Sequence, residues 1–338
     1  MHEASLYQRL DQNRVQCRLC SHFCRIEDNE TGKCGVRKNE GGVLHTLVYD
    51  RVAAVNLDPV EKKPLYHFLP GTFTFSFGAM GCNLGCAFCQ NDTLSQPPRQ
   101  GRRVAGQHAT PEQLVEAARM RGAQSVSYTY SEPTVFFELV RDTADLAHAA
   151  GLKNILVSNG FMSPQCLEEL RGRIDAANID LKAFTEDFYR DLCQARLEPV
   201  LHNLKAIKQM GWWLEVTTLV IPGRNDSDEE LGHIAAFVAN ELGADTPWHI
   251  SRFHPCYRLT DAPPTPAATL ERAHAVGKAA GLQFVYVGNA PGHPANNTYC
   301  PVCGKLVLGR AGFRVDPEAR LDGVCPHCGH RLAGVWRA

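Results

Sequence analysis

At 338 residues the chain has room for one large domain of roughly 200 to 250 residues, with something small at each end. Its 44% hydrophobic and 21% charged residues are ordinary for a globular protein, and a formal net charge of −1 gives no reason to expect nucleic acid or an anionic membrane as a partner. No apolar run approaches the length of a membrane span, and the opening residues MHEASLYQRLDQNR lack a signal-peptide core, so the expected compartment is the cytoplasm.

In chain order, the opening residues predict a short helix, then a cysteine group, then strands such as Val43 to Leu47. Residues 58–71, DPVEKKPLYHFLPG, read as a connector. Strands are predicted at 73–77, 125–128, 154–158, 176–181, 214–220 and 248–253, with helices at 111–121, 133–150, 164–171, in two pieces between 185 and 210, and at 228–242. A helix at 266–280 and a strand at 283–287 follow. Pro111, Pro133 and Pro164 stand where a first-turn proline is tolerated. Alternation of this kind predicts an α/β fold with parallel strands and right-handed crossovers, a partial (β/α)6 barrel. The expected division is an N-terminal cysteine-rich module with its connector (1–70), the barrel (71–290) and a small C-terminal domain (291–338).

Fourteen cysteines in a reducing compartment point to metal rather than disulfides. Within MGCNLGCAFCQN, Cys82, Cys86 and Cys89 form a spacing that chance would supply about 0.02 times at this cysteine content. Three thiolates in one tight loop can anchor three irons of a [4Fe–4S] cluster and leave the fourth open to a ligand. A three-cysteine zinc site completed by a distant histidine is the alternative. Gly81 and Gly85 are expected to let the loop wrap closely.

This loop, with Phe88 before its last cysteine, resembles the CxxxCxΦC signature of the radical S-adenosylmethionine (SAM) superfamily. DPVEKKPLYHFLPG, SFGAMGCNLGCAFCQN, SYTYSEPTVF, NIDLKAFTEDFYR, ISRFHPCYRLT and NTYCPVCG further resemble the radical SAM protein of the AmmeMemoRadiSam system, a relative of the pyruvate formate-lyase activating enzymes. The resemblance implies SAM bound to the open iron and cleaved by one electron to methionine and a 5′-deoxyadenosyl radical, which abstracts hydrogen from a substrate. It also implies reduced ferredoxin or flavodoxin as donor, and the system's two other proteins as candidate partners.

Further motifs fall at predicted strand ends, where barrels carry their active sites. In YTYSEP, Tyr130 and Ser131 replace the glycines of the family's glycine-glycine-glutamate motif, while Glu132 remains to accept from the SAM amino group; a helix-capping carboxylate is the structural alternative. Ser158 and Asn159 can reach a ribose or carboxylate, or form a plain turn. Asp180 and Lys182 share one face of their strand. By resemblance to a DLK motif, Lys182 contacts SAM and Asp180 orients it or a nearby cation; a salt bridge between them is the alternative. Ile221-Pro222-Gly223 resembles an adenine-packing turn, and NDSDEE beyond it reads as a helix cap. His254 matches a SAM-contacting histidine of the activating enzymes.

At the C-terminus, Cys300-x2-Cys303 and Cys325-x2-Cys328 repeat one knuckle and predict a structural zinc ribbon. Cys17, Cys20, Cys24 and Cys34 can close another site, for zinc or an auxiliary iron–sulfur cluster; zinc is preferred because Cys34-Gly35 resembles a knuckle turn, with His22 a possible alternate ligand. Cys166, Cys193 and Cys256 are expected in the core, Cys256 being worth attention for its nearness to His254. Together these readings predict a radical SAM enzyme with an undisclosed substrate, or alternatively an activase that installs a glycyl radical on a partner protein.

Overall fold

The structure is a computed structural model that describes residues 2–337. Eight strands form its main sheet: β1 (Ala54–Pro59), β2 (Phe73–Gly78), β3 (Ser125–Tyr128), β4 (Lys153–Ser158), β5 (Ala176–Asp180), β6 (Trp213–Val220), β7 (Trp248–Arg252) and β8 (Val285–Gly288). They lie side by side in chain order. From β2 to β8 every neighbouring pair is parallel, and only β1 runs antiparallel, beside β2. Parallel neighbours need crossovers, and the main helices supply them: α1 (Pro111–Met120), α2 (Phe137–Ala149), α3 (Pro164–Glu169), α4 (Glu198–Gln209), α5 (Asp228–Phe237) and α6 (Ala267–Ala279). The partial α/β barrel expected from the alternation is what the chain forms.

The helix starts follow local chemistry. Thr110 closes a capping box with Gln113 ahead of α1, Ser163 caps α3, and Ser227 caps α5 with Asp228, Glu229 and Glu230 in its first turn. NDSDEE is therefore the cap that its residues suggest. β1 escaped the sequence reading because Asn56, Asp58 and Pro59 look like turn formers, yet its pairing runs from Ala54 opposite Gly78 to Pro59 opposite Phe73.

The expected N-terminal helix is instead a pair of strands, Tyr7–Arg9 against Val15–Cys17. Gln12 and Asn13 both take positive φ, 60° and 57°, which turns the chain back on itself where a right-handed helix would have to continue. Ala4, Val15, Leu19, Ile26 and Val36 pack in the same core as Phe77, Leu139 and Phe161 of the barrel. Arg37 forms a salt bridge with Glu138 of α2 at 2.7 Å, both side chains almost fully buried. The N-terminal segment also grips the loop after β4, where Ser21 N donates to Phe161 O and Ser163 N donates to Leu19 O, each at 3.1 Å.

The C-terminal residues have a core of their own, in which Cys300, Leu308, Cys325 and Trp336 meet Tyr66, Phe284 and Tyr286. This contact lies at the N-terminal ends of β6 to β8, opposite the mouth of the barrel. Its centre is Glu215 of β6, which accepts from Tyr66 N, His67 N and Trp213 Nε1 and pairs with His249 Nε2 at 2.6 Å. His67 joins Tyr286 Oη at 2.6 Å to Ala333 O at 2.7 Å, so the tail is tied to the barrel's base through one buried ring. Val335 completes the attachment by bridging Phe68. Among the described residues no helix is long and apolar enough to cross a membrane.

Candidate active site

Cys82, Cys86 and Cys89 stand on the loop that follows β2, at the C-terminal edge of the sheet. Two glycines hold the loop's shape. A Cβ on Gly81, at φ +103°, would stand 2.8 Å from Val36, and one on Gly85 would stand 2.3 Å from Gln194. The glycines thus make room for neighbouring protein. Leu84 N donates to Cys82 Sγ at 3.3 Å, Asn159 Nδ2 reaches the same sulfur at 3.6 Å, and Ser95 Oγ lies 3.1 Å from Cys89 Sγ. Such donors favour thiolate. Phe88 is buried against Phe188, ring centroids 5.6 Å apart, with Lys182 Nζ 5.9 Å from its ring centre.

Glu132 lies at the end of β3, 1% exposed. Its Oε1 accepts from Thr134 N at 3.0 Å, Thr134 Oγ1 at 2.5 Å and Ser158 Oγ at 2.8 Å, while Oε2 accepts from Asn159 N alone, at 2.9 Å. It therefore caps the helical turn Pro133–Phe136 and still keeps acceptor capacity on Oε2. Burial raises its pKa above the ordinary carboxylate value despite these donors. Asn159 does not point its amide away toward a ligand: Nδ2 donates to Asn83 Oδ1 at 2.8 Å as well as approaching Cys82.

Asp180 and Lys182 pair at 2.7 Å across the end of β5, the lysine side chain 14% exposed and the aspartate 39%. Burial opposes the lysine's charge, but Asp180 and the neighbouring thiols of Cys86 and Cys193 carry its pKa well above the usual lysine value. All of these residues, from Cys82, Cys86, Phe88 and Cys89 through Glu132, Ser158 and Asn159 to Asp180 and Lys182, line one cleft with an empty volume of ≈ 960 Å³. His254 is exposed and stands outside that lining, where Ser251 of β7 takes a place.

Residues 79–235 match the family model described as the radical SAM superfamily. An uncharacterized protein of Methanocaldococcus jannaschii is 44% identical over 338 residues, 98% of this chain and 99% of its own. A benzylsuccinate synthase activating enzyme of Thauera aromatica is 25% identical over 165 residues, covering 47% of this chain and 50% of its own. The chain belongs to the radical SAM superfamily. A solved radical SAM methyltransferase from Sphaerobacter thermophilus superposes over 66% of this chain and 68% of its own with a TM-score of 0.50 and 15% identity, a likeness of fold. Membership implies an enzyme with a [4Fe–4S] cluster and SAM.

In this radical SAM protein, Tyr130 keeps the backbone conformation a glycine would allow. Its φ is +71°, and its hydroxyl donates to Asp58 Oδ2 at 2.6 Å while Lys63 Nζ sits 4.5 Å from its ring centre. The anchor from β1 compensates for a conformation costly in a bulky residue. Cys193, expected in the plain core, lies beside Cys86 and lowers the Cys86 pKa, while burial pushes that of Cys193 well up. Its carbonyl also accepts from Gly85 N at 2.9 Å. Cys256 Sγ lies 3.3 Å from Phe88 O. Neither cysteine has a spacing signal, because each reaches the loop from a distant part of the chain. Ser95 and Gln96 also line the cleft; their nearness to Cys89 was the one available hint.

At the opposite end, the sulfurs of Cys300, Cys303, Cys325 and Cys328 all lie within 4.8 Å of one another, a group able to hold a metal ion.

Proposed function

We propose that this protein reductively cleaves SAM at a [4Fe–4S] cluster held by Cys82, Cys86 and Cys89, and uses the resulting radical to abstract hydrogen from a substrate. What supports the reading best is the convergence of those thiols with Glu132 and Lys182 in one cleft. When bound, the cluster delivers one electron that splits SAM into methionine and a 5′-deoxyadenosyl radical. The protein's part is to hold SAM before that electron arrives. Glu132 Oε2 is free to accept from the SAM amino group, and Lys182 to meet its carboxylate with Asp180 as counter-ion. Ser158 and Asn159 fix Glu132 and the Cys82 thiolate, so they position rather than bind. By resemblance, Ile221-Pro222-Gly223 after β6 would pack the adenine and His254 after β7 would contact SAM, although His254 stands outside the cleft lining.

The test is anaerobic reconstitution with iron and sulfide, reduction, and assay of 5′-deoxyadenosine. Wild type should form it and Cys86→Ala should not. Cleavage surviving in that variant would remove the cluster from the reaction. The expected donor is reduced ferredoxin or flavodoxin, and the expected context the AmmeMemoRadiSam system with its two further proteins, which copurification would test. The C-terminal quartet suits structural zinc, since Cys300–Cys328 and Cys303–Cys325 sulfurs stand 3.6 and 3.7 Å apart and tetrahedral bonds of about 2.3 Å require about 3.8 Å. Similarity to the Thauera activating enzyme favours a second reading, an activase that installs a glycyl radical on a partner protein. A glycyl signal in electron paramagnetic resonance (EPR) spectra, appearing on mixing with a candidate partner, would select it.

A further inference from the structure

We propose that Cys17, Cys20, Cys24 and Cys34 hold a second [4Fe–4S] cluster, and that this cluster relays single electrons to the cluster of the cleft. Only the electron's destination rests on the function proposed above; the second cluster stands on its own geometry.

The spacing of the thiols separates the two metals that four cysteines could hold. A tetrahedral zinc ion draws its four sulfurs to about 3.8 Å of one another, and the C-terminal quartet has that form. The N-terminal quartet does not: among the described residues, no three of its sulfurs come within the 4.8 Å that marks the C-terminal group. Cys82, Cys86 and Cys89 likewise fall outside that 4.8 Å limit. A cubane binds each thiolate at a separate iron corner and so keeps its ligands apart. Within one protein, the N-terminal site matches the cluster loop and differs from the ribbon. The preference for zinc that rested on the Cys34-Gly35 turn gives way to this geometry.

All four cysteines line one pocket, together with Arg37 and Asn83. Two buried N–H donors on its wall have no partner, Arg37 Nε and Asn83 Nδ2. The rest of the Arg37 guanidinium is committed, Nη2 to Glu138 and Nη1 to Ser5 O at 3.3 Å. Leaving such donors dry and unpaired costs about 1–3 kcal/mol each. Cluster sulfur accepts from donors of this kind, and they are among the levers that set a cluster's potential.

Four thiolates leave no iron open, so the site suits electron transfer rather than ligand activation. Its position gives the direction. Asn83 lines this cavity, and its neighbours Cys82 and Leu84 line the catalytic cleft. The two linings therefore meet at adjacent residues of one loop. His22, between Cys20 and Cys24, hydrogen-bonds Asn83 O at 2.8 Å, and Asn83 Oδ1 accepts from the same Asn159 amide that approaches Cys82 Sγ. Cys20 and Cys24 are partly exposed, which leaves a side for electron entry. A one-electron donor protein of the iron–sulfur or flavin class is oxidised by one electron, the N-terminal cluster is reduced, and it is reoxidised as the electron passes Asn83. No bond to iron forms or breaks in the relay, and no proton moves.

The experiment counts iron, sulfide and zinc in anaerobically reconstituted full-length protein. Wild type should carry about eight irons, and Cys82→Ala/Cys86→Ala/Cys89→Ala should keep about four, with the EPR signal of a reduced [4Fe–4S] cluster. Zinc should stay at about one per chain in both. A triple variant without iron and with a second zinc would overturn the cluster, while deoxyadenosine formation by wild type would still uphold the proposed function. Iron retained in the triple variant, with no cleavage by wild type, would do the reverse. The relay is read by rapid mixing of wild type with reduced ferredoxin. The signal retained by the triple variant should appear before the catalytic one, and the opposite order would overturn it. In Cys20→Ala/Cys24→Ala, ferredoxin-driven cleavage should fall at least about tenfold with SAM affinity unchanged; an undiminished rate counts against the relay.

Discussion

Replacing Glu132 by glutamine separates the capping role seen in the structure from the SAM contact proposed for this carboxylate. Oε1 receives three protein donors and Oε2 one. A glutamine can keep its carbonyl toward the Thr134 and Ser158 donors, which forces its NH2 to the Oε2 position, facing Asn159 N–H. One buried hydrogen bond is lost and two donors oppose each other, at a cost of about 1–3 kcal/mol in folding stability. The same NH2 would face the SAM amino group, where a charge-assisted contact worth about 1.5–3 kcal/mol disappears, or roughly ten- to a hundredfold in affinity. SAM titration of the reconstituted protein, followed through the reduced cluster's EPR signal, measures the second effect, and urea unfolding the first. Acidification should mimic the substitution in wild type. Because burial raises the Glu132 pKa, its charge is lost, and SAM binding weakens, beginning above the ordinary glutamate value of about 4.3. Glu132→Gln should lack this dependence. Unchanged SAM affinity in the variant, with stability lowered as calculated, would make Glu132 a helix cap and nothing more.

Asp58→Asn should destabilise the fold by about 3–5 kcal/mol, because Lys63, its side chain 3% exposed, loses its counter-ion, and Tyr130 loses its anchor; a change under about 0.5 kcal/mol in urea unfolding would refute this. Lys182→Met should weaken SAM binding about ten- to a hundredfold while the iron count holds; wild-type affinity would make the pair with Asp180 purely structural. Burial lowers the His67 pKa to about 4, so between the unfolded value of about 6.5 and that value the unfolded state binds the extra proton and stability falls as pH falls, by on the order of 3 kcal/mol in total. His67→Gln should flatten that part of the melting-temperature profile, and an equally steep decline in the variant would assign the titration to another group.

The barrel was legible because its signals are local. Strand runs such as Lys153–Ser158 sit between helices whose starts are marked by Thr110-Pro111 or Ser163-Pro164, and six crossovers in a row leave few topologies. The cysteine triad and quartets were legible for the same reason. What the sequence hid depends on residues far apart. Asn159 reads as a turn residue until its amide is found on Asn83, 76 positions away. Cys193 reads as core until its thiol is found beside Cys86. Tyr130 looks like a broken motif until Asp58, 72 positions earlier, is found holding its hydroxyl. Even the opening hairpin turned on two left-handed residues whose side chains tolerate that conformation without requiring it.

The attachment of the C-terminal quartet to the base of β6 to β8 would give a metal held there an influence on time rather than on chemistry. His67, Tyr286 and Phe68 receive the tail at the end of the barrel away from the cleft, so removing the ion touches no group that holds SAM. Chelation should leave the first turnovers intact and shorten the working life of the enzyme, with inactivation following the rate at which the barrel's floor opens. A preparation low in this metal would then pass an initial-rate assay and fail in storage.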